Sequence, residues 1–519
     1  MRRHILALLV ALAAAAFLIL PSPRPAFADG MVAIATGHSH SCAVTAAGGV
    51  KCWGGNTFAA LGDGTNEGRT TPVDVCQEYD DVAQQCTQPL SDIADVTAGV
   101  GHTCALTNAG GVKCWGLSAE GQLGAVDAEF CNVPGGSPFL CSTTPQEVVG
   151  LQSGVAAISA GSRHTCAALL DGGVQCWGWN AVGQLGDGST TSRRTPVDVI
   201  GLASGVATVG LGHNFSCAVT TDGGVKCWGS NVSGILGART DETCVSPFIG
   251  DDNSCSKRPL DVCQTFDPAE ETCSEPLSGI ATVAPSIAHT CALTTSGGVT
   301  CWGVNDGRGF LGDGERCGTL CGPVAVCEDS TCAAPLSNIA AVTAGSFSLH
   351  TCAVTRAGGV RCWGTGFHGA LGDGSLSKVH SSPVGVCQVY DDVAEECMES
   401  LSGVISVDTG LSSTCALTEA GTVKCWGSNC GPPSLYELRQ CRIPEDVLGL
   451  EAKDAAATGD VNCDGAVDAT DAASLLQFHA SLLSALPCLE RADVNEDGVI
   501  NALDALLILQ HSAGLLASA

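Results

Sequence analysis

The chain is poor in aromatic residues, in charge and, above all, in basic residues. Phe, Trp and Tyr make up 4% of its 519 residues, and 23 Lys and Arg stand against 53 Asp and Glu, which gives a net charge of −30. A chain this acidic is disfavoured as a nucleic-acid binder, because such binding needs a basic face. Glycine and cysteine, by contrast, are abundant, with 66 and 32 residues. These two residue types carry most of the structural information.

The N-terminus is typical of a secretory signal peptide over residues 1–28. Arg2 and Arg3 form a basic start, Ile5–Leu20 an apolar run, and Ala26-Phe27-Ala28 a small-residue cleavage site. Cleavage removes three Arg and no acid, so the net charge moves from −30 to −33. A retained N-terminal anchor is the alternative, and no later stretch is long and apolar enough for a membrane span. We therefore expect a secreted, extracellular or cell-surface protein.

One spacing recurs seven times: Cys, nine residues, then Cys-Trp-Gly. Two short apolar runs flank a Gly-containing turn in each copy, which predicts a β-hairpin. Folding the hairpin about its turn places the two cysteines opposite each other, within disulfide range. The Trp that follows must point to the other side of the strand, so both sides are buried. The predicted disulfides are Cys42 with Cys52, Cys104 with Cys114, Cys166 with Cys176, Cys217 with Cys227, Cys291 with Cys301, Cys352 with Cys362, and Cys415 with Cys425.

Sheets that are buried on both faces and repeat along the chain indicate a β-propeller. The segments Gly-x-x-His-Thr-Cys-Ala-Leu-Thr, Cys-Trp-Gly-x-Asn and Gly-Gln-Leu-Gly-Asp-Gly resemble the regulator-of-chromosome-condensation repeat. The resemblance covers residues 31–450 and implies an all-β, seven-bladed propeller, with residues 29–450 as its domain. Pro444–Leu448 is expected to form a closing strand beside the first copy. Copy seven lacks the Leu-Gly-Asp-Gly segment.

After a linker at 451–458, residues 459–516 form a second expected domain. Residues 460–471 and 493–504 each place oxygen ligands at loop positions 1, 3, 5, 9 and 12, a backbone carbonyl at position 7, and Gly at position 6. This spacing suits calcium, so we predict two Ca²⁺ ions. The ligands are Asp460, Asn462, Asp464, Ala466, Asp468 and Asp471 in the first loop, and Asp493, Asn495, Asp497, Val499, Asn501 and Asp504 in the second.

Each loop runs into an apolar-periodic segment without a leading helix, and this resembles a type I dockerin. The resemblance implies a small α-helical calcium-loop domain that binds a cohesin-type partner. It also assigns partner choice to loop positions 10 and 11, here Ala469 and Thr470, and Ala502 and Leu503. Cys463 and Cys488 would tie the first loop to the segment before the second.

The remaining cysteines also fall into near neighbours. One set follows the Pro-Val-x-Val-like strand: Cys76 with Cys86, Cys263 with Cys273, Cys327 with Cys332, and Cys387 with Cys397. A second set follows the Trp strand: Cys131 with Cys141, Cys244 with Cys255, Cys317 with Cys321, and Cys430 with Cys441. In an oxidising compartment we expect disulfides. Zinc held by Cys317, Cys321, Cys327 and Cys332 is the alternative at one place.

His40, His102, His164, His289 and His350 recur before the first hairpin cysteine. We expect a structural role, such as capping a turn, because Phe215 and Ser413 occupy the position in two copies. No catalytic motif is present, and no pair of carboxylates is singled out by its spacing.

The favoured interpretation is a secreted binding and scaffold protein, with a propeller that recognises protein or glycan and a calcium-dependent tail that docks. A polysaccharide-degrading component, similar to glycoside hydrolases, and a structural matrix protein are the alternatives. For the propeller we predict partner contacts at Tyr79, Phe266 and Tyr390, in disulfide-braced loops on one face.

Overall fold

In the computed structural model, the described part of the propeller region is residues 30–450 without 81, 126–128, 132–137, 245–253, 268–271, 315–319, 392 and 429–439. From the C-terminal region, residues 461, 469–480, 492, 494 and 500–512 are described. The predicted signal peptide, the linker, Cys317, Cys430, Cys463 and Cys488 lie outside these ranges.

The described residues 30–450 form seven four-stranded antiparallel blades, each built from one copy of the repeat. We label the strands of a blade A to D in chain order. Blade 1 is Met31–Thr36, His40–Thr45, Val50–Gly54 and Arg69–Asp74; blade 2 is Ile93–Ala98, His102–Thr107, Val112–Leu117 and Phe139–Glu147; blade 3 is Val155–Ala160, His164–Leu169, Val174–Gly178 and Arg193–Asp198; blade 4 is Val206–Leu211, Phe215–Thr220, Val225–Ser230 and Cys255–Asp261; blade 5 is Ile280–Pro285, His289–Thr294, Val299–Val304 and Leu320–Ala325; blade 6 is Ile339–Thr343, His350–Thr355, Val360–Thr365 and Val379–Gly385; blade 7 is Val404–Thr409, Ser413–Thr418, Val423–Ser428 and Gln440–Asp446.

Smaller elements decorate the blades. Glu129–Cys131 adds a fifth strand beside strand D of blade 2, and two short 3-10 helices span Val232–Gly234 and Phe367–Gly369. Three two-stranded hairpins stand between blades: Cys76–Asp80 with Gln85–Pro89, Cys263–Asp267 with Thr272–Pro276, and Cys387–Asp391 with Glu396–Ser400. Two helices follow, α1 at Ala469–His479 and α2 at Ala502–Ser512.

The B–C hairpin of every blade has the register that the cysteine spacing predicts. In blade 3, Cys166 lies opposite Cys176 and Thr165 opposite Trp177. Gly172 takes a φ of +84° in the turn, a conformation that glycine adopts without steric cost.

All seven disulfides predicted within the hairpins are confirmed, and in each the Cα atoms lie 4.1 Å apart. Their cysteines are directly opposed in the strand register, which is the geometry that the nine-residue spacing requires. The bonds join Cys42 to Cys52, Cys104 to Cys114, Cys166 to Cys176, Cys217 to Cys227, Cys291 to Cys301, Cys352 to Cys362, and Cys415 to Cys425.

The hydrophobic core is divided into seven clusters, one at each junction between blades. Each cluster contains the B–C disulfide of one blade and the Trp of the next, as with Cys166, Cys176 and Trp228. At the last junction, Cys415 and Cys425 of blade 7 pack with Trp53 of blade 1, which closes the ring. The disulfide side of each hairpin therefore faces the following blade and the Trp side faces the preceding one.

The predicted closing strand has a different place. Gln440–Asp446, which contains Pro444, pairs with strand C of blade 7, where Cys425 lies opposite Glu445. It is the outer strand of its own blade and does not pair with copy one, although Val447, which follows it, lies in the same buried cluster as Trp53 of blade 1. The A strands line the central channel, and ring closure is made there: Thr36 donates its backbone N–H to Asp408 at 2.7 Å, and Met31 donates to the carbonyl of Gly421 at 2.8 Å.

Candidate functional site

The recurring histidines connect neighbouring blades. His164 Nε2 lies 3.0 Å from Ser216 Oγ in the next blade, and Ser216 in turn donates to the carbonyl of Gln184 at 2.9 Å. Trp228 donates its indole N–H to the same carbonyl at 2.9 Å. Equivalent bonds join His40 to Thr103, His102 to Thr165, His289 to Thr351 and His350 to Thr414. The role is structural, as expected, but it is a bridge between blades and not a turn cap.

These five histidines are neutral in the fold because burial disfavours the charged ring. Burial lowers the pKa of His40 to about 4, and the pKa values of His102, His164, His289 and His350 to about 3. Four rings also bury an Nδ1 atom that has no hydrogen-bond partner among the described residues. A ring of neutral, hydrogen-bonded histidines is suited to holding blades together and unsuited to proton transfer near neutral pH.

Blade 4 interrupts this network because Phe215 replaces its histidine. At the junction that follows, Thr290 Oγ1 and Trp302 Nε1 are buried and have no partner in the described part of the chain. Buried donors without partners cost free energy. The junction between blades 4 and 5 thus lacks the indole hydrogen bond that is made by Trp115, Trp177, Trp228, Trp363 and Trp426 at their junctions.

One face of the propeller carries the A–B connections, such as residues 37–39 of blade 1, and we call it the AB face. Phe347, from the longer A–B connection of blade 6, lies between two histidines of other blades there. Its ring centroid is 4.9 Å from that of His38 and 4.5 Å from that of His213, both in edge-to-face geometry. Burial, with the nearby charge of Arg163, lowers the pKa of His213 to about 4. Three blades thus meet across the channel mouth.

The opposite face carries the B–C turns and the D-to-A connections, such as residues 75–92, and we call it the BC face. The three added hairpins belong to these connections, and each is closed by a disulfide that the sequence predicts: Cys76 with Cys86, Cys263 with Cys273, and Cys387 with Cys397. The partner contacts predicted from the sequence lie in these hairpins.

The aromatic residues of these hairpins do not form their tips. Tyr79 and Tyr390 are half-buried, and each ring packs against a glycine, Gly64 or Gly374, where a Cβ atom would collide with it. Arg442 places its guanidinium 5.3 Å from the centre of the Tyr390 ring. Phe266 lies at the equivalent strand position, opposite Cys273. The exposed tip residues are Val82 and Val393, at 95% and 96% exposure.

Three further pairs of neighbouring cysteines in the described part of the chain are disulfides as well. Cys131 pairs with Cys141, Cys244 with Cys255, and Cys327 with Cys332. Cys321 and Cys441 are also disulfide-bonded. These bonds overturn the zinc alternative at Cys317, Cys321, Cys327 and Cys332, because oxidised cysteines supply no thiolate ligands.

Part of the C-terminal module is described. α1 and α2 pack together through Ala472, Leu475, Ala505 and Ile508. Asp471 and Asp504, the expected ligands at loop position 12, are fully buried in the first turn of each helix.

Asp504 accepts the backbone N–H groups of Val494 at 2.9 Å and Asn501 at 2.8 Å, so both of its carboxylate oxygens bind described backbone groups of the second loop. A buried carboxylate at this point is the donor that calcium requires. Of the other predicted ligands, only Asn501 is among the described residues, where it is half-buried.

The expected partner-selecting positions start the two helices. Thr470 and Ala502 are exposed, and Ala469 and Leu503 lie in the first turns of α1 and α2. The helices also expose Leu476 at 42%, Leu506 at 48% and Leu509 at 39%. Leu476 and Leu509 occupy equivalent places in the two loop–helix units, so the apolar exposure is repeated.

Within the described ranges, no group of three or more His, Cys, Asp or Glu is arranged to hold a metal ion, and no helix is both long and apolar enough to cross a membrane.

Comparison with protein families identifies both regions. Residues 458–511 match the Dockerin type I domain. Residues 31–59, 93–122, 155–184, 206–235 and 404–431, and also 109–168 and 171–219, match the Regulator of chromosome condensation (RCC1) repeat. The chain therefore carries RCC1 repeats in a seven-bladed propeller, with a dockerin-type segment after them.

Two known proteins are similar in sequence to parts of this chain. The Ultraviolet-B receptor UVR8 of Arabidopsis thaliana is 29% identical over 67% of this chain and 68% of that protein. The probable E3 ubiquitin-protein ligase HERC4 of Homo sapiens is 32% identical over 42% of this chain, and the match spans only 19% of that protein.

Among solved structures, human WBSCR16 superposes with a TM-score of 0.56 at 21% identity, covering 74% of this chain and 85% of that one. Yeast RCC1 (Prp20), in its complex with Kap60, gives a TM-score of 0.56 at 18% identity, covering 81% and 84%. These likenesses establish the fold.

Proposed function

We propose that this chain is a secreted, disulfide-stabilised binding protein whose C-terminal module binds two Ca²⁺ ions and docks to a cohesin-type partner. The propeller presents its loops to a second protein or glycan. Docking and recognition are thus divided between the two regions. The observation that carries the proposal is the dockerin match at residues 458–511, together with the buried Asp471 and Asp504.

The helix pair supports calcium-dependent docking. Calcium would draw on the loop carboxylates and thereby fix the first turns of α1 and α2, where Ala469, Thr470, Ala502 and Leu503 lie. The exposed Leu476 and Leu509 add apolar area to the same helices. A partner surface that covers these residues would gain from burying them.

The propeller supports a recognition role. Thirteen disulfides are described, and none of the described cysteines is free. Cross-links of this density suit an oxidising, extracellular compartment and hold surface loops in one conformation. Tyr79, Phe266 and Tyr390 belong to the hairpins that we assign to partner contacts on the BC face.

A purified type I cohesin domain is the probe that tests the docking role. We expect it to bind the full chain in calcium and to release it when EDTA is added. Asp504→Ala should weaken binding strongly, because it removes the buried carboxylate at loop position 12. Asp446→Ala, which changes an exposed aspartate on the outer strand of blade 7, is the matched control and should bind as the wild type does.

Calcium-independent binding, or equal binding by Asp504→Ala, would refute docking through this module. Absence of binding to cohesins of every type tested would refute the partner class.

A further inference from the structure

Two of the three added hairpins carry the same tip sequence. Residues 76–89, which we call prong 1, contain Tyr-Asp-Asp-Val-Ala, and residues 387–400, prong 2, repeat those five residues. The register is also the same, with Tyr79 opposite Cys86 and Tyr390 opposite Cys397. Val82 and Val393 are almost fully exposed at the two tips. The same exposed apolar residue is thus presented twice, on the same scaffold.

The described residues of both tips are constrained by hydrogen bonds to an aspartate side chain. Asp80 accepts the backbone N–H groups of Val82 at 2.8 Å and Ala83 at 2.9 Å, and Asp391 makes the equivalent pair of bonds in prong 2. An isolated two-stranded hairpin is marginally stable in water, so the disulfide supplies order that the strands lack. A tip that is ordered before binding loses less entropy when a partner covers it.

The prongs are also strongly acidic. Prong 1, prong 2 and the third hairpin, residues 263–276, together contain twelve Asp and Glu and no Lys or Arg. In prong 2, Glu395, Glu396 and Glu399 are exposed. Hydrogen bonds from the tip backbone lower the pKa of Asp80 and of Asp391, so both tips stay ionised.

We propose that prongs 1 and 2 dock a protein partner whose contact surface is rich in Lys and Arg and offers a small apolar recess to each tip valine. The proposal rests on the recognition role proposed above for the propeller and names the chemistry of its partner. Opposite charge would steer the encounter, and the two valines would be buried in the complex. A glycan fits less well, because the Tyr79 and Tyr390 rings lie folded against glycine and offer no open stacking platform.

A random peptide library displayed on beads tests this, with full-length protein in EDTA so that the tail takes no part. We expect retained peptides to be enriched in Lys and Arg over the starting library, and their binding to weaken as salt is added. The double variant Val82→Ser/Val393→Ser should bind them at least about tenfold more weakly. Leu170→Ser is the matched control, since Leu170 is 74% exposed in the B–C turn of blade 3, on the same face.

Three results would overturn the proposal: no basic enrichment, undiminished binding by the double variant, or an equal loss in Leu170→Ser. Binding of the wild type to a glycan array that disappears in the double variant would reassign the prongs to a glycan. Cohesin binding in calcium, measured on the same variants, keeps the two proposals separate. If the wild type binds cohesin but binds no peptides selectively, only the prong proposal is refuted. If the wild type binds the peptides selectively but does not bind cohesin, only the docking role is refuted.

Discussion

Replacing His164 with Phe should make the protein less sensitive to acid while costing stability at neutral pH. Blade 4 shows that the ring fits, because Phe215 occupies the equivalent position and packs over Gly212 as His164 packs over Gly161. The variant loses the 3.0 Å hydrogen bond to Ser216. At pH 7, where the histidine is neutral in both folded and unfolded chains, that loss should cost about 0.5–1.5 kcal/mol.

The sensitivity to acid follows from the lowered pKa of His164. Burial lowers the pKa of His164 to about 3 in the folded chain, against 6.5 for an ordinary histidine. Between these pH values the unfolded chain binds a proton that the folded chain does not, so stability is present above pH 6.5 and is lost as the pH falls. The slope is about 1.4 kcal/mol per pH unit, so a fall from pH 6.5 to 4.5 removes up to about 2.7 kcal/mol. The Phe variant should therefore be the more stable protein at pH 4.5.

Other titratable groups also contribute to the pH dependence of stability. The four other bridging histidines act in the same direction, because burial lowers the pKa of each. Asp408 acts in the opposite direction: burial raises its pKa to about 6, so its contribution is present below pH 3.8 and is lost as the pH rises through 6. The substitution leaves this background in place, so the difference between variant and wild type isolates His164.

Denaturant unfolding with intact disulfides, followed by tryptophan fluorescence at several pH values, provides the measurement. The free energy of unfolding of the Phe variant should fall less steeply with decreasing pH, by about one proton equivalent, and cross that of the wild type between pH 7 and 4.5. His368→Asn is the control, because His368 is exposed and takes a φ of +59° that Asn tolerates. Parallel curves for wild type and the Phe variant would refute the assignment of a neutral, buried His164.

Three further outcomes are expected. Trp177→Phe removes an indole N–H that donates to the Gln122 carbonyl at 2.9 Å, and it should lower the free energy of unfolding by about 1–3 kcal/mol. Trp302→Phe should lower it less, because the Trp302 N–H has no partner among the described residues. Equal losses in the two variants would contradict this interpretation. Phe215→His should give Thr290 a partner and raise the hydrogen-exchange protection of strand B in blade 5; unchanged protection would argue against the bridge. Calcium removal should abolish the protection of α1 and α2 and spare the propeller strands, and Asp464→Ala should weaken the first site; a tail protected equally with and without chelator would count against bound metal.

Local chemistry made much of the propeller predictable from the sequence. The hairpin register, the disulfide across it and the opposite direction of the Trp depend on the alternation of side chains along a strand and on the turn, and both are properties of adjacent residues. Cys166 opposite Cys176 is the direct result. The same reasoning predicts Asp471 and Asp504 as calcium ligands at loop position 12; both are buried in the first turn of a helix, and metal binding stays a prediction.

Contacts between distant residues were not predictable in this way. Pro444–Leu448 was expected to form a closing strand beside the first copy, yet the strand Gln440–Asp446 pairs with strand C of blade 7. The ring is closed by packing, in a cluster that contains Val447 and Trp53, and by the Thr36–Asp408 hydrogen bond. The recurring histidine suggests a turn cap when one copy is read alone. Its partner hydroxyl lies in the next copy, 52 residues away for His164 and Ser216.

The sequence by itself determined the repeat, the number of blades and the cysteine pairs within hairpins, and its spacing is the basis of the predicted calcium loops. Only the tertiary structure decided which residues the surface presents. Tyr79 and Tyr390 are of a residue type common at binding surfaces, which is why the sequence predicts partner contacts there. Both rings turn inward, because the glycines at positions 64 and 374 leave space for them. Val82 and Val393 are exposed instead, since the Asp80 and Asp391 turns point them into solvent. Side-chain direction at these hairpins depends on the space left by the C–D connection of the same blade, which the hairpin sequence itself does not encode.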